Sequence, residues 1–103
     1  MTHLEKNHPA LASALASVAA RGIAVRRTTG DPATGMHAAM IRAELAARCG
    51  VVSYVLWTAS LDAYGLYCSD AGVAEAVAAA CRASGVETDR DGAVLTATAP
   101  LVA

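Results

Sequence analysis

Helical spacing of apolar residues predicts three helices in this chain. Leu11, Leu15 and Val18 recur about one turn apart, which is the pattern of a helix with one buried face. Pro9 suits a first helical turn, where its missing N–H costs nothing, and Gly22 suits a helix end. The helices predicted in this way span residues 9–21, 36–48 and 70–84.

Shorter apolar runs between the helices predict strands. In the run 51–60, Val55 and Trp57 share one side while Tyr54 and Leu56 share the other, so this strand is apolar on both faces. The predicted strands span residues 23–28, 51–60, 63–68 and 93–99, with an extended segment at 86–88 and a turn at 89–92.

The order of these elements is α–β–α–β–β–α–β, and the last strand is open to division into a hairpin. This order predicts an α+β fold, a ferredoxin-like βαββαβ sandwich with an additional N-terminal amphipathic helix. At 103 residues there is room for one domain, so residues 1–22 form a helix on the domain or a partner, and 23–103 the ferredoxin-like domain. Two helices on one sheet face would leave the other face open, and a homodimer is expected to form through it.

The predicted helix 36–48 is apolar on two opposite sides. Ala38, Ile41 and Leu45 form the stripe that is expected to face the sheet. The opposite side needs a cover, which the N-terminal helix of the same or a neighbouring subunit is expected to supply. The residues of that side are Met36, Ala39, Met40, Ala43 and Ala47.

Composition and charge narrow the class of protein. The chain is 55% hydrophobic, which excludes disorder, and its net charge of −1 gives no reason to expect nucleic acid as a partner. Residues 1–50 hold six basic and three acidic side chains (+3), and residues 51–103 hold two and six (−4). Interleaving of the two halves in a ferredoxin-like fold is expected to mix these charges. With no signal peptide or membrane segment and three widely spaced cysteines, a cytoplasmic protein with free thiols is expected.

One run of residues suggests metal chemistry. His37 and Met40 lie one helical turn apart and are both soft-metal ligands. The run GMHAAM at residues 35–40 resembles the GMxCxxC entry of heavy-metal-associated domains. The two cysteine positions of that motif are occupied by Ala38 and Ile41, so neither a metal nor another cofactor is expected.

The segment from Glu44 to Leu101 carries a series of strand, turn and helix-start residues that matches a known pattern. These residues are Val51-Val52, Asp62, Leu66, Asp70, Gly85-Val86, Thr88 and Val94-Leu95. In them the chain resembles the effector-binding module of the leucine-responsive/asparagine-type regulators, although the family's Gly-x-Tyr-Asp turn reads Ser60-Leu61-Asp62 here and residues 1–22 supply no helix-turn-helix. The resemblance implies a stand-alone ligand-binding or dimerisation module with Thr58, Ser60 and Asp62 near the ligand.

A second resemblance covers about the same span. The run GVVSYVLWTASLD at residues 50–62 is similar to the second strand and turn of cofactor-independent antibiotic-biosynthesis monooxygenases and related small cyclases. This resemblance implies a dimer with a cavity between sheet and helices, where Trp57, Tyr67 and His37 would surround a substrate.

Together these observations predict a homodimeric small-molecule-binding or regulatory module without intrinsic catalysis. A small monooxygenase or cyclase of natural-product metabolism and a soft-metal-binding protein remain as alternatives. No catalytic residue is assigned, and neither nucleic acid nor a membrane is expected as a partner. The residues predicted to bind ligand are Trp57, Thr58, Ser60, Asp62 and Tyr67.

Overall fold

The computed structural model describes residues 6–49, 53–59 and 63–98, which form an α+β fold. The helices are α1 (Pro9–Ala20), α2 (Met36–Cys49) and α3 (Ala71–Ala83). The strands are β1 (Ala24–Arg27), β2 (Tyr54–Ala59), β3 (Ala63–Cys68), β4 (Thr88–Asp91) and β5 (Val94–Thr98). The predicted fold class and element order, including the N-terminal helix, are confirmed, and the last strand is divided into the hairpin β4–β5.

Local hydrogen bonds explain why two of the helices begin where they do. At the start of α1, the Nδ1 atom of His8 accepts a hydrogen bond from the backbone N–H of Leu11 at 3.3 Å. At the start of α3, Asp70 Oδ1 accepts one from the N–H of Val73 at 2.9 Å. Each side chain satisfies a backbone donor that the first helical turn leaves without a partner.

The five strands form one mixed sheet in the order β1-β2-β3-β5-β4. β1 runs parallel to β2, and α2 lies in the connection between them, whereas the other neighbouring pairs are antiparallel. Because β1 and β2 are direct neighbours, no strand separates the parallel pair as it does in a split βαβ arrangement. This order places β1 at one edge of the sheet and β4 at the other.

The segment predicted as a turn at 89–92 is mostly strand. Asp89 pairs with Thr96 and Asp91 with Val94, and the chain reverses at Gly92, whose φ of +64° favours glycine. Charged residues are typical of turns, but an edge strand with one solvated face accepts them equally well.

One face of the sheet is closed by two helices. α1 and α3 pack side by side on it, and their apolar stripes meet the side chains that β2, β3 and β5 direct to that face. The fully buried members of this core include Leu11, Val18, Val55, Leu66, Cys68, Val77, Cys81 and Leu95. Cys68 and Cys81 are both buried with free thiols, so they pack as small hydrophobic residues of this core.

Within the described part of the chain, α2 is the one helix that covers the opposite face of the sheet. Ala38, Ile41 and Leu45 of α2 are buried against Leu56, with Ala24 and Tyr54 packed around them. Side chains alternate along β2, so Leu56 lies on the face opposite Val55 and Trp57. The expected open sheet face is therefore reduced to its β3–β5–β4 half.

The outward side of α2 stays exposed within one chain. Met36 and Met40 are 82% and 63% exposed, and Ala39, Ala43 and Ala47 are exposed beside them. The N-terminal helix α1 does not supply the expected cover in its own subunit, because it lies against α3 on the other side of the sheet.

The strand order also corrects the expectation that the charges would mix. Arg26 and Arg27 lie in the edge strand β1, which belongs to the basic half of the chain. Asp89 and Asp91 lie in β4 at the opposite edge, which belongs to the acidic half. Among the described residues, no helix is long and apolar enough to cross a membrane.

Candidate functional site

The part of the sheet that α2 leaves uncovered is the candidate site, and we call it the open floor. Strand register arranges it in two rows, one running from Thr58 through Gly65 to Thr96 and the next from Leu56 through Tyr67 to Val94. The Leu56 end of the second row is buried under α2, whereas Tyr67 and Val94 are only half-buried. The residues of the open floor are Thr58, Gly65, Tyr67, Val94 and Thr96.

Two phenols and a guanidinium converge where the open floor meets α2. Tyr54 and Tyr67 are diagonal neighbours on adjacent strands of the same face. Burial raises the pKa of Tyr54, and the neighbouring Tyr67 phenol raises it further, while Arg42 of α2 acts in the opposite direction. Partial burial and a like neighbour both disfavour a tyrosinate, so Tyr54 is a neutral hydrogen-bonding group here.

The loop from β1 to α2 forms the end wall of the floor. Asp31 Oδ1 accepts hydrogen bonds from the backbone N–H of Ala33 at 2.7 Å and of Thr34 at 3.0 Å, and these bonds, Thr34 first, lower the pKa of Asp31. The ordered turn sets Pro32 over the sheet, where a Cβ atom added at Gly65 would lie 3.8 Å from its ring. Arg42 Nη1 donates to the Pro32 carbonyl at 3.4 Å, which joins α2 to this wall.

His37 fastens the same loop from the first turn of α2. The backbone N–H of Thr29 donates to His37 Nδ1 at 3.0 Å, and the hydroxyls of Thr29 and Thr28 lie at 3.2 and 3.4 Å from the same atom. A backbone N–H can only donate, so Nδ1 is the acceptor and the neutral ring carries its proton on Nε2. Among the described residues, no three His, Cys, Asp or Glu side chains come together as a metal site.

The structure brings together only part of the predicted ligand-binding set. Thr58 and Tyr67 both lie on the open floor. Trp57 lies on the closed face, where it is buried between the Arg27 guanidinium at 5.2 Å and the Tyr64 ring at 6.2 Å. Ser60 and Asp62 lie outside the described residues.

Two residues of the site were not among those predicted to bind ligand. In a helical projection of residues 36–48, His37, Glu44 and Arg48 lie on one flank of the helix and Arg42 lies on the other. This position indicates that Arg42 faces a different part of the molecule. Tyr54 alternates with Trp57 along β2 and so shares a face with Thr58. The sequence does not show which side of α2 faces β3, because this depends on the order of the strands.

A cleft lies at the opposite edge of the sheet from α2. It has a volume of about 660 Å³ and opens between the end of α3 and β4, with Arg82, Glu87 and Asp89 among its lining residues. None of the predicted ligand-binding residues lines it. Its charged groups are of mixed sign and exposed, so they do not define one class of ligand.

Comparisons of the chain with protein-family models, with curated proteins and with solved structures found no match. The class of protein is therefore defined by the fold alone, an α+β fold with an N-terminal helix and a βαββαβ-like arrangement in a five-stranded mixed sheet. The two family resemblances stay predictions.

Proposed function

We propose that this chain is a small-molecule-binding module without intrinsic catalysis, and that its ligand lies on the open floor against α2. The observation that supports this proposal is that Tyr54 and Arg42 meet Tyr67 at the border of α2, beside a part of the sheet that no described helix covers. A few polar groups placed together on a partly apolar surface are what orients a ligand in most binding sites.

The chemistry of these groups favours a planar carboxylate as ligand. A guanidinium has five N–H donors in a rigid fork that matches a carboxylate. Arg42 donates to the Pro32 carbonyl and forms no ion pair within the described part of the chain, so its charge is available to an anion. The Tyr67 ring and Val94 offer apolar surface, and Thr58 and Thr96 offer hydroxyls near it.

Binding is favoured over catalysis by the types of group on the floor. Phenols, hydroxyls and a guanidinium orient a ligand, whereas acid–base chemistry generally uses a carboxylate or an imidazole within hydrogen-bond reach of the substrate. Asp89 and Asp91, the carboxylates that β4 directs to this face, lie at the outer edge of the sheet. The ring of His37 is turned to the loop at Thr29.

The proposal is tested with a matched pair of probes, 4-hydroxybenzoate and its neutral amide, by NMR titration of the labelled protein. We expect the carboxylate to bind with a Kd on the order of 1 mM, as fragments do, and the amide about tenfold more weakly. The chemical-shift changes of backbone amides in the protein should cluster at residues of the open floor. Equal affinities for the two probes, or shifts centred on the α3–β4 cleft, would refute the proposal.

Two variants of α2 test whether the guanidinium of Arg42 is the group that recognises the carboxylate. Arg42→Gln should remove the preference for the carboxylate probe. Arg48→Gln is the matched control, because Arg48 lies on the other flank of the same helix and pairs with Glu44. If the control loses the preference to the same degree, the effect comes from overall charge and the site is not the one proposed.

A further inference from the structure

Two features of one sheet face are not covered by any of the residues that the structure describes. The first is the outward stripe of α2, formed by Met36, Ala39, Met40, Ala43 and Ala47, all of them exposed. The second is the uncovered part of the sheet beside it, which consists of the open floor and the adjoining face of β4. Exposed methionines together with a bare sheet half indicate surfaces that are covered in an assembly.

The two features have matching dimensions. A helix of 14 residues such as α2 is about 21 Å long and about 10 Å wide. The strands β3, β5 and β4 are spaced about 4.8 Å apart and offer a surface about 10 Å wide. They have six, five and four residues, so they are about 13 to 20 Å long. This surface is therefore about as wide as one helix and somewhat shorter.

We propose that the partner is a second copy of this chain and that the copies are related by a two-fold axis parallel to the strands. The rotation places α2 of each copy over the open floor of the other, so both helices lie side by side between two sheets. Each α2 then buries Ala38, Ile41 and Leu45 on its own sheet and Met36 and Met40 on the other. The same contact occurs twice, as an isologous interface requires.

The charges of the two sheet edges support this arrangement. The rotation places the β1 edge of one copy over the β4 edge of the other. On the α2 side, the β1 edge carries Arg26 and Arg48, which share the single carboxylate of Glu44 at 3.5 and 3.7 Å and leave that flank with a net positive charge. The β4 edge directs Asp89 and Asp91 to the same side of the sheet.

The strand register sharpens this charge match. Arg26, Leu56, Tyr67, Val94 and Asp91 form one continuous row across the sheet. A two-fold axis along the strands keeps each row at its own height, so the Arg26 end of a row in one copy lies across the helix layer from the Asp91 end of the same row in the other. The helix layer separates the two sheets by about 20 Å, so these groups act through the fields of the two edges and do not form an ion pair. The basic residue of β4, Arg90, points to the closed face, where it lies 3.8 Å from Glu75. Complementary edges of this kind favour one orientation of the two copies over others.

This inference does not rest on the proposed ligand. A dimer could form without binding any carboxylate, and a monomer could bind one. In the dimer, α2 of the other copy would cover Val94 and Thr96. The part of the site formed by Arg42, Tyr54 and Tyr67 would lie at the seam between the two α2 helices, so a bound carboxylate would be confined to that seam.

Sedimentation equilibrium of the wild-type protein gives the first test. We expect a species of twice the 10.4 kDa subunit mass at micromolar concentrations. Met40→Glu should raise the dimer dissociation constant about tenfold or more, because it places a negative charge against the apolar floor of the other copy and near its Asp89 and Asp91. Ala79→Glu is the matched control, an exposed alanine on α3 whose substitution should leave the constant unchanged. A wild-type monomer, or a dimer that Met40→Glu does not weaken, would overturn the proposal.

Cross-linking between two different variants tests the geometry directly. Met40→Cys and Thr96→Cys are each made with Cys49→Ala, mixed, and treated with a short bismaleimide, while the buried Cys68 and Cys81 stay protected. We expect a product that contains one chain of each variant. Products that join only Met40→Cys to itself would show the helices stacked on each other and overturn the arrangement, as would a dimer that gives no mixed product.

Discussion

The two faces of the sheet are built in different ways. On the closed face, α1 and α3 bury a continuous core in which Leu66, Val77 and Leu95 have no exposed surface. On the half-covered face, α2 buries a small cluster around Leu56 and leaves Met40 in solvent. The residues that the structure describes therefore cover one face completely and the other only in part.

Polar groups follow the same division. On the closed face, His8 is buried, caps α1 and places its ring 5.5 Å from that of Tyr64. Among the described residues, no buried side-chain nitrogen or oxygen lacks a hydrogen-bond partner. On the half-covered face, Tyr67, Thr58 and Thr96 are accessible. The difference indicates that the closed face supplies most of the folding energy and that the half-covered face is available for recognition.

The largest expected difference between the two faces is seen when one apolar side chain on each is truncated. Leu66→Ala should lower the free energy of unfolding by about 3 kcal/mol, because it leaves a cavity among fully buried neighbours. Met40→Ala should change it by less than about 0.5 kcal/mol in the monomer, because this side chain is mostly exposed. Urea unfolding at low protein concentration measures both values.

A large loss for Met40→Ala under the same conditions would contradict the comparison, since the outward side of α2 would then be buried within one chain. A loss of unfolding free energy that appears only at high protein concentration would instead support the difference between the faces, because the Met40 side chain would then be buried only in an assembly.

The sequence predicted local features well because they depend on neighbouring residues. Helical spacing of Leu11, Leu15 and Val18 and the alternation of Val55 with Leu56 both reappear in the structure. Strand order depends on contacts between distant segments, and here the prediction was weaker. The halves of the chain were expected to interleave, yet β1 and β4 lie at opposite edges and keep the charges apart.

The same limit explains the outcome for the candidate site. Alternation along β2 already separates Trp57 from Thr58, but it does not show which of the two shares a face with Tyr67. That choice needs the register, in which Tyr67 is opposite Leu56. Arg42 could be placed on a flank of its helix from the sequence, but the partner of that flank could not.

Titration of a closed-face thiol gives a second test, in which we expect stability to fall at alkaline pH. Burial raises the pKa of the Cys68 thiol to about 12, with a smaller opposing effect of Arg90. The folded protein therefore keeps a proton that the unfolded chain loses above its ordinary pKa of about 9. This contribution is fully present below pH 9 and is lost as the pH rises towards 12, by up to about 1 kcal/mol per pH unit.

Cys68→Ala isolates this contribution from other alkaline effects, among them the raised pKa of Tyr54. The variant should be less stable than the wild type at neutral pH, because a buried atom is lost. The difference in free energy of unfolding between the variant and the wild type should be smaller at about pH 10.5. At that pH the wild type has lost part of the stability that its protonated Cys68 thiol contributes, and the variant has no thiol to lose it from. A deficit that is constant with pH would show that Cys68 is in contact with solvent and that the closed face is open near β3.

The smallest expected effect concerns the loop that borders the half-covered face. His37→Ala removes the acceptor of the Thr29 N–H and should lower the free energy of unfolding by about 0.5 to 1 kcal/mol, because the site is exposed and water replaces part of the bond. His37→Asn places an amide oxygen close to the position of Nδ1 and should recover most of the loss. Hydrogen exchange of the Thr29 amide reads out the bond itself, and it should speed up in the alanine variant only. Equal exchange in both variants would mean that the ring does not fasten the loop, and that Pro32 is held over Gly65 by the Asp31 turn and Arg42 alone.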